Sequence, residues 1–202
     1  MKAHWETIYR SKAPSQVSWY QNHPALSLDF IKRTGIGKAG HVIDIGGGIS
    51  TLVDNLLQED YRHVTVLDIS AAALQVARQR LGKLAARVIW IEADITQADL
   101  PYQAYDVWHD RAVFHFLSRP EDRRRYVQAV QRSVKNGGHV IVATFALDGP
   151  SQCSGLDVMR YSPDSLDDEL GNEFRLIDSV HEAHVTPFGT EQRFVYLYFR
   201  LE

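Results

Sequence analysis

A short apolar run that ends in an acid and three consecutive glycines is the feature that most constrains this chain. Residues 41–51 read HVIDIGGGIST, and the branched apolar residues before the glycines predict a strand buried on both faces. Glycines that follow such a strand let a ligand approach the backbone, because no Cβ is in the way. The helix pattern that comes next offers unpaired N–H groups to a negative or polar ligand group. We therefore expect a ligand above Gly46, Gly47 and Gly48.

Composition narrows the class of protein. A chain of 202 residues with 45% hydrophobic and 23% charged residues is typical of one globular domain. Its net charge of −3 provides no basic surface, so we expect no nucleic-acid partner. The only cysteine, Cys153, excludes an internal disulfide framework and favours a cytoplasmic location. The sequence shows neither the apolar core of a signal peptide nor a run near the roughly 20 residues of a membrane span, so we expect no membrane association.

Strand and helix patterns then alternate along the chain, as they do in a parallel sheet with crossover helices. Two β-like runs close the chain around a turn at Pro187 and Gly189, and strands that close together must be antiparallel. The prediction is an α/β, Rossmann-like, doubly wound and mostly parallel sheet with a C-terminal antiparallel hairpin. Asn136-Gly137-Gly138 is expected to end a helix and start the next strand. The remaining expected strands are 63–68, 87–92 and 105–109, and the expected helices are 25–34, 51–59, 71–81 and one that begins at Pro120.

The N-terminal residues 1–24 are polar yet unusually aromatic, with His4, Trp5, Tyr9, Trp19 and Tyr20. Two interpretations stay open for this segment. It is either a tail that packs on the domain through its aromatic rings, or a flap that closes over a site and supplies ring faces to a cation. We describe the chain as an aromatic flap at 1–24 and a domain at 25–202.

The spacing around the glycines separates the possible ligands. A dinucleotide motif would require a third glycine where Thr51 stands, and a phosphate loop would require a lysine that is missing. The pattern Asp44-x-Gly46-x-Gly48-x-Ser50 resembles the first motif of class I S-adenosylmethionine (SAM) methyltransferases, with Ser50 in place of the last glycine. Asp44 is interpreted as a buried acid that orders the glycine loop or reaches the amino-acid end of SAM.

Acids at the ends of the following strands extend this pattern. Ligands of open parallel sheets bind beyond the carboxyl ends of the strands, where an acid such as Asp68 can accept hydrogen bonds from two ribose hydroxyls. The resemblance implies that Ile69 lines the adenine pocket and that Asp94 with Ile95 contacts the adenine. It also implies SAM as cofactor and S-adenosylhomocysteine (SAH) as product. The expected cofactor residues are Asp44, Gly46, Gly47, Gly48, Ser50, Thr51, Asp68, Ile69, Asp94, Ile95 and Asp110.

Residues 105–117, YDVWHDRAVFHFL, resemble a later family motif and separate two branches of the family. The pair Asp110-Arg111 before an apolar stretch is similar to small-molecule thiol methyltransferases of the thiopurine S-methyltransferase type. Elongation-factor-type lysine methyltransferases carry D-K-G-T-x-D at this place, and His115 replaces the second acid of that pattern. The resemblance therefore favours a small-molecule acceptor and leaves a protein lysine as the alternative.

The candidate catalytic residues are Asp110, Arg111 and His115. Arg111 either holds an anionic substrate or forms an ion pair with a neighbouring acid. His115 is either a base or a buried structural residue, and His109 is equally ambiguous. His184 is expected on the surface, and no spacing typical of metal ligands is present, so we expect no metal. The candidate substrate residues are Trp19, Tyr20, Cys153, Arg160 and Tyr161.

The sequence as a whole predicts a methyltransferase, monomeric or homodimeric, that transfers a methyl group from SAM to a small molecule. A thiol or another soft nucleophile is the expected acceptor, because a thiol needs less help from a base than an amine does. Three alternatives remain: a protein lysine methyltransferase, a SAM-fold module without catalysis, and an NAD-dependent oxidoreductase. Thr51 and the terminal hairpin disfavour the last of these.

Overall fold

The structure is a computed structural model that describes residues 1–202, apart from the side chain of Pro14. Strands and helices alternate through most of the chain, as the sequence predicts. The strands are β1 His41–Ile45, β2 His63–Asp68, β3 Val88–Glu92, β4 Tyr105–Arg111, β5 Val134–Phe145, β6 Gln152–Cys153, β7 Leu156–Asp157, β8 Phe174–Val185 and β9 Glu191–Leu201. The helices are α1 Lys2–Ser11, α2 Ala25–Arg33, α3 Leu52–Gln58, α4 Ala71–Leu81, α5 Pro120–Ser133 and α6 Pro163–Leu170.

A seven-stranded sheet in the order β3-β2-β1-β4-β5-β9-β8 forms the centre of the molecule. The first five of these strands are parallel, while β9 runs antiparallel to β5 and β8 antiparallel to β9. The predicted fold class, with its C-terminal antiparallel hairpin, is confirmed. Strand order reverses between β1 and β4, and Ile45 lies beside both Leu67 and Asp110 at that point. The carboxyl ends of β1, β2 and β4 therefore meet at one edge of the sheet.

Helices cover both faces of the sheet because β1 and its neighbours are apolar on both sides. Val42 joins the core beneath α2, α3 and α4, whereas Ile43 and Ile45 join the core beneath α5 and α6. All three side chains are essentially inaccessible to solvent. This two-sided burial explains why the strand reads as a continuous apolar run rather than as an alternating one.

The structure corrects two expectations about local structure. Helix α5 ends at Ser133 and β5 begins at the next residue, so Asn136-Gly137-Gly138 lies inside the strand rather than at a helix end. The pairing of β5 with β4 passes from Tyr105–Val134 directly to Val107–His139, so these extra residues form an irregularity in β5. The N-terminal segment, for which no helix was expected, begins with α1, which exposes Lys2, Thr7 and Arg10 and buries Trp5. No helix in the described part of the chain combines the length and hydrophobicity that crossing a membrane would require.

Candidate functional site

A cavity of about 430 Å³ opens at the carboxyl edge of the sheet, beside the point where strand order reverses. A second, smaller cavity of about 40 Å³ lies next to the glycine turn. Both cavities are lined by Trp19, Ile45, Gly46 and Arg111, so they are neighbours in one region. The larger cavity extends from the acids at the ends of β2 and β3 to a group of aromatic side chains from the N-terminal segment and residue 116.

The glycine turn is closely packed on both sides. Gly46 has φ +65°, and a Cβ at this position would lie 2.1 Å from the Val113 side chain. A Cβ on Gly48 would lie 2.5 Å from Oδ2 of Asp68. Only glycine combines the positive φ with this close approach. The turn therefore holds its backbone directly against the acids that the sequence assigned to the ligand.

Asp68 lies at the floor of the larger cavity and is 4% exposed. Its Oδ1 accepts a hydrogen bond of 2.8 Å from the Ser70 N–H, and burial raises the pKa of the carboxyl to about 7. Ile69, Asp94 and Ile95 line the same cavity. The structure thus brings together the acid expected for the ribose and the residues expected for the adenine.

Asp44 lies under the glycine turn and lines the smaller cavity. Its Oδ1 is 2.7 Å from Nδ1 of His109, while Oδ2 is buried and has no partner among the described residues. Ser50 lines this cavity too, and its hydroxyl accepts from the Leu52 N–H at the start of α3. Thr51 lines neither cavity, and its hydroxyl donates to the Gln21 carbonyl at 2.8 Å. Thr51 therefore fastens the N-terminal segment to the glycine turn.

The two cavities share a roof, which we define as α1 and residues 18–21: α1 lines the larger cavity, Trp19 lines both, and Tyr20 and Gln21 line the smaller one. Trp5 of α1 lies edge-on to Trp19 and to Phe116, with ring centroids 5.7 and 5.1 Å apart, and is stacked with Tyr9. All four rings line the cavity. The aromatic content of residues 1–24 indicated the three rings from that segment, whereas nothing in the sequence marked Phe116 as a site residue.

Glu6 fixes α1 over the acids below. Its Oε1 accepts hydrogen bonds from the Ser70 hydroxyl at 3.1 Å and from the Ala72 N–H at 3.3 Å. These donors belong to the N-terminus of α4, which directly follows Asp68, and a carboxylate is favoured at that end of a helix. The roof is thus attached to the same turn that carries Asp68 and Ile69.

Comparison with known proteins agrees with this geometry. Residues 42–138 match a family model described as a methyltransferase domain, and this range contains the glycine turn and the acids that follow β2 and β3. Residues 42–138 thus match a methyltransferase domain, as the resemblance of the sequence to class I SAM methyltransferases implies. The family resemblance seen in the sequence is confirmed.

Three proteins illustrate the range of relatives of this methyltransferase domain. An uncharacterized methyltransferase of Schizosaccharomyces pombe is 28% identical over 65% of this chain and 50% of its own length. The eEF1A lysine and N-terminal methyltransferase of Bos taurus is 22% identical over 68% of this chain and 19% of its own length. A solved structure described as "Conversion of a Disulfide Bond into a Thioacetal Group during Echinomycin Biosynthesis" has a TM-score of 0.80 at 19% identity and covers 100% of this chain and 92% of that one. The chain thus spans half the length or less of these curated relatives.

Arg111 lines both cavities of the methyltransferase domain but is already engaged by protein groups. Its Nη2 donates to Glu182 at 3.1 Å, Nε donates to the Tyr196 hydroxyl at 2.8 Å, and Nη1 donates to the Trp19 carbonyl at 3.1 Å. Of the two interpretations given for Arg111, the ion pair is the one observed. Its partners lie 71 to 92 residues away, which explains why the sequence left the choice open.

Two candidate catalytic residues lie outside both cavities. His115 is fully buried, its Nδ1 accepts from the Phe145 N–H at 3.3 Å, and burial lowers its pKa to about 3. A neutral imidazole without access to the cavity favours the structural interpretation, and the role of His115 as a base stays a prediction. Asp110 accepts hydrogen bonds from the Tyr126 hydroxyl at 2.7 Å and the Val113 N–H at 2.8 Å, and burial raises its pKa to about 6. It therefore holds the turn after β4 and lines neither cavity, and its expected catalytic and cofactor roles stay predictions.

Three of the five candidate substrate residues line a cavity, and two do not. Trp19 and Cys153 line the larger cavity, and Tyr20 lines the smaller one. Burial raises the pKa of the Cys153 thiol to about 11. Arg160 is exposed and donates to the Leu147 carbonyl at 3.0 Å, while Tyr161 is buried against Phe114, so neither lines a cavity.

Two further observations complete the site. His184, expected on the surface, is 5% exposed, and its Nε2 is 2.7 Å from the Ser18 carbonyl oxygen. This contact ties the β8–β9 hairpin to the segment that forms the roof. Across the part of the chain that the structure describes, no three His, Cys, Asp or Glu side chains are grouped as metal ligands would be.

Proposed function

We propose that this protein transfers a methyl group from SAM to a small molecule with a soft nucleophile, a thiol above all. The observation that carries the proposal is the shape of the larger cavity. It joins the acid at the end of β2 to an uncharged aromatic chamber, which we define as Trp5, Tyr9, Trp19 and Phe116. A nucleoside at one end and an apolar acceptor at the other would meet beneath the roof.

The residues present fit SAM. Asp68 is placed to accept hydrogen bonds from ribose hydroxyls, and the side chains around Asp94 to enclose the adenine. The unpartnered Oδ2 of Asp44 suits the ammonium of the amino-acid end, because a buried carboxylate oxygen without a partner is costly. When bound, SAM supplies a methyl group on a positively charged sulfur, which is a good leaving group. The protein then has mainly to position the acceptor and exclude water.

The rings of the chamber and the neighbouring Cys153, Arg111 and His115 supply no base for the acceptor, and the carboxylates that line the larger cavity are those of Asp68, Asp94 and Asp122. Burial raises the pKa of Cys153 to about 11 and that of Tyr9 well above its usual value, so both keep their protons. Arg111 is paired with Glu182, and His115 lies outside the cavity. A free thiol has a pKa of about 8.5 and forms some thiolate near pH 7, whereas a lysine amine of about 10.4 stays almost fully protonated. A chamber without a base therefore favours a thiol over a lysine.

A protein lysine acceptor is the second candidate, and the bovine relative is the observation that favours it. That protein is named for lysine and N-terminal methylation, but it matches this chain at 22% identity over 19% of its length. The solved structure named for thioacetal formation supports the fold alone at 19% identity. The choice of acceptor therefore rests on the chamber.

We also propose that the N-terminal segment acts as a flap. Trp5 and Tyr9 of α1 and Trp19 line the larger cavity, so a movement of α1 and residues 18–21 would widen the path for the cofactor and the acceptor. We expect the protein to work in a reducing cytoplasm, which would keep Cys153 as a thiol.

The first experiment is transfer from SAM labelled on its methyl group into whole-cell extract, with the products separated by size. We expect label in the small-molecule fraction. In a second assay with single acceptors, we expect transfer to aromatic thiols and not to matched amines. Asp68→Ala should lose the transfer, while Asp99→Ala, at an exposed acid outside the cavities, should keep it. Label on a protein band would favour a protein lysine methyltransferase instead. SAH binding without any transfer would indicate a SAM-binding module without catalysis.

A further inference from the structure

A line of buried polar groups crosses the domain from the acceptor side to the cofactor side. It begins at Arg111, whose Nε lies 2.8 Å from the Tyr196 hydroxyl, and this hydroxyl lies 3.3 Å from Oγ of Ser27. The same Oγ is 2.9 Å from Nε2 of His109, and Nδ1 of His109 is 2.7 Å from Asp44. Ser27, His109, Tyr196 and Asp44 are each at most 2% exposed. Ser27, His109 and Asp44 also line the smaller cavity, whereas Tyr196 lines neither cavity, so a hydrogen bond lost at Tyr196 has no nearby space for a replacing water.

Elementary donor and acceptor chemistry fixes the direction at the two ends of the line. Arginine has donors and no acceptor, so the Tyr196 hydroxyl accepts from Arg111 and has one hydrogen left to donate to Ser27. A carboxylate only accepts, so Nδ1 of His109 donates to Oδ1 of Asp44. Nε2 of His109 and Oγ of Ser27 connect these two ends.

Both ends of the line meet the same piece of the roof. At the first end, Nη1 of Arg111 holds the Trp19 carbonyl, and Glu182 accepts from both Arg111 and the Gln21 amide. At the other end, the free oxygen of Asp44 belongs to the smaller cavity, which Trp19, Tyr20 and Gln21 also line. Residues 18–21 are therefore in a position to respond to Arg111 and to a cation at Asp44 together.

We propose that Tyr196, Ser27 and His109 are positioning residues that couple closure of residues 18–21 to cofactor binding at Asp44. This inference rests on the proposed function, because it takes the cation at Asp44 to be the ammonium of SAM or SAH. Hydrogen bonds in a low-dielectric interior polarise one another, so a line that ends on a carboxylate holds that carboxylate in one orientation. The coupling is reciprocal: an ordered roof strengthens cofactor binding, and bound cofactor stabilises the closed roof.

The chain offers a matched pair of variants for the test. Tyr196→Phe removes the hydroxyl that connects Arg111 to Ser27, although Tyr196 lines neither cavity. Tyr198→Phe is the control, since Tyr198 lies two residues along β9 and its hydroxyl bonds to His139 instead. Ser27→Ala breaks the same line one step further on, in case Tyr196→Phe does not fold.

SAH affinity is measured by calorimetry, and trypsin cleavage after Lys12 reports on the roof, with melting temperatures as the check on folding. In wild type, we expect SAH to slow cleavage after Lys12. In Tyr196→Phe and Ser27→Ala, we expect the Kd for SAH to rise about 3- to 10-fold, and saturating SAH to protect Lys12 less. Tyr198→Phe should match wild type in both measurements.

The outcomes distinguish a failure of the proposed function from a failure of the proposed coupling. Failure of the wild-type protein to bind SAH would overturn the proposed function itself. Wild-type affinity and protection in folded Tyr196→Phe and Ser27→Ala would overturn only the coupling. An equal loss in Tyr196→Phe and Tyr198→Phe would also overturn it, because the effect would then come from general loosening of β9.

Discussion

The guanidinium of Arg111 donates to the carboxylate of Glu182 at 3.1 Å, with the two side chains only 10% and 15% exposed. This pair neutralises a cation that lines the same cavity as the aromatic chamber. The ring of Phe194 covers the guanidinium from another side, 4.3 Å from ring centroid to Cζ. Arg111 therefore adds no unpaired charge beside the chamber, and on the proposed function the chamber would select acceptors by shape and polarisability.

The first prediction concerns this charge. Glu182→Gln leaves Arg111 without its counter-charge, so the chamber becomes cationic and should prefer anionic acceptors. We expect kcat/KM to rise for a carboxylated aromatic thiol relative to its neutral analogue, together with a loss of about 1–3 kcal/mol in stability. Glu191→Gln, at an exposed ion pair with Arg193, is the control. An unchanged ratio between the two thiols would show that the pair does not set acceptor charge.

The second prediction concerns Asp68 and pH. The pKa of Asp68 is about 7 in the folded protein, whereas that of an aspartate in the unfolded chain is about 4. Between these two pH values the folded state keeps a proton that the unfolded chain has already released. Asp68 therefore lowers stability as the pH rises through that window. Asp68→Asn should become increasingly more stable than wild type, by at most about 1.4 kcal/mol for each pH unit. Denaturant unfolding at pH 4, 5.5, 7 and 8 tests this, and a constant difference would contradict the raised pKa.

The same variant should bind SAH more weakly, because an amide offers one acceptor oxygen where the carboxylate offers two. We expect the loss to be about 1.5–3 kcal/mol, the range for hydrogen bonds to a charged group. If Asp68→Asn both raises stability and weakens SAH binding, then the carboxylate of Asp68 serves ligand binding at the expense of folding stability.

The third prediction concerns His115. Because burial lowers its pKa to about 3 and it lines neither cavity, it should not act as a base near pH 7. We expect His115→Gln, if it folds, to keep a kcat within about threefold of wild type and to leave the pH–rate profile unchanged in shape. Loss of an inflection between pH 6 and 7 in the variant would restore the catalytic role that the sequence suggested.

The fourth prediction concerns the attachment of the roof. Glu6→Ala removes the acceptor for the Ser70 hydroxyl and the Ala72 N–H, which should free α1 from the start of α4. We expect a stability loss of about 1 kcal/mol and a larger KM for the acceptor. Thr7→Ala, at the neighbouring exposed residue, serves as control, and hydrogen exchange of residues 2–11 reports detachment directly. Unchanged exchange in Glu6→Ala would show that the aromatic rings alone hold α1.

Much of the architecture followed from the sequence, because its signals are local. An apolar run before glycines, an acid at each strand end and a closing pair of strands are each contained within a few residues. Their meaning depends on backbone geometry that those residues set themselves. This is why the sheet, its terminal hairpin and the turn at Gly46 were all predicted.

The roles of Arg111, His115 and Asp110 could not be read in the same way. Each side chain has several possible partners, and the ones it meets come from residues 126, 145, 182 and 196. Burial then decides protonation, as it does for His115. Phe116 was missed for the same reason, since its ring becomes part of a site only when Trp5 packs against it.

The sequence by itself thus determined the fold class and the position of the ligand turn, since strand and helix periodicity and glycine chemistry act over short distances along the chain. Only the tertiary structure decided which side chains face the cavity, which are neutralised and which stay buried. Those properties depend on contacts between residues far apart in sequence, and on the low dielectric that such contacts create.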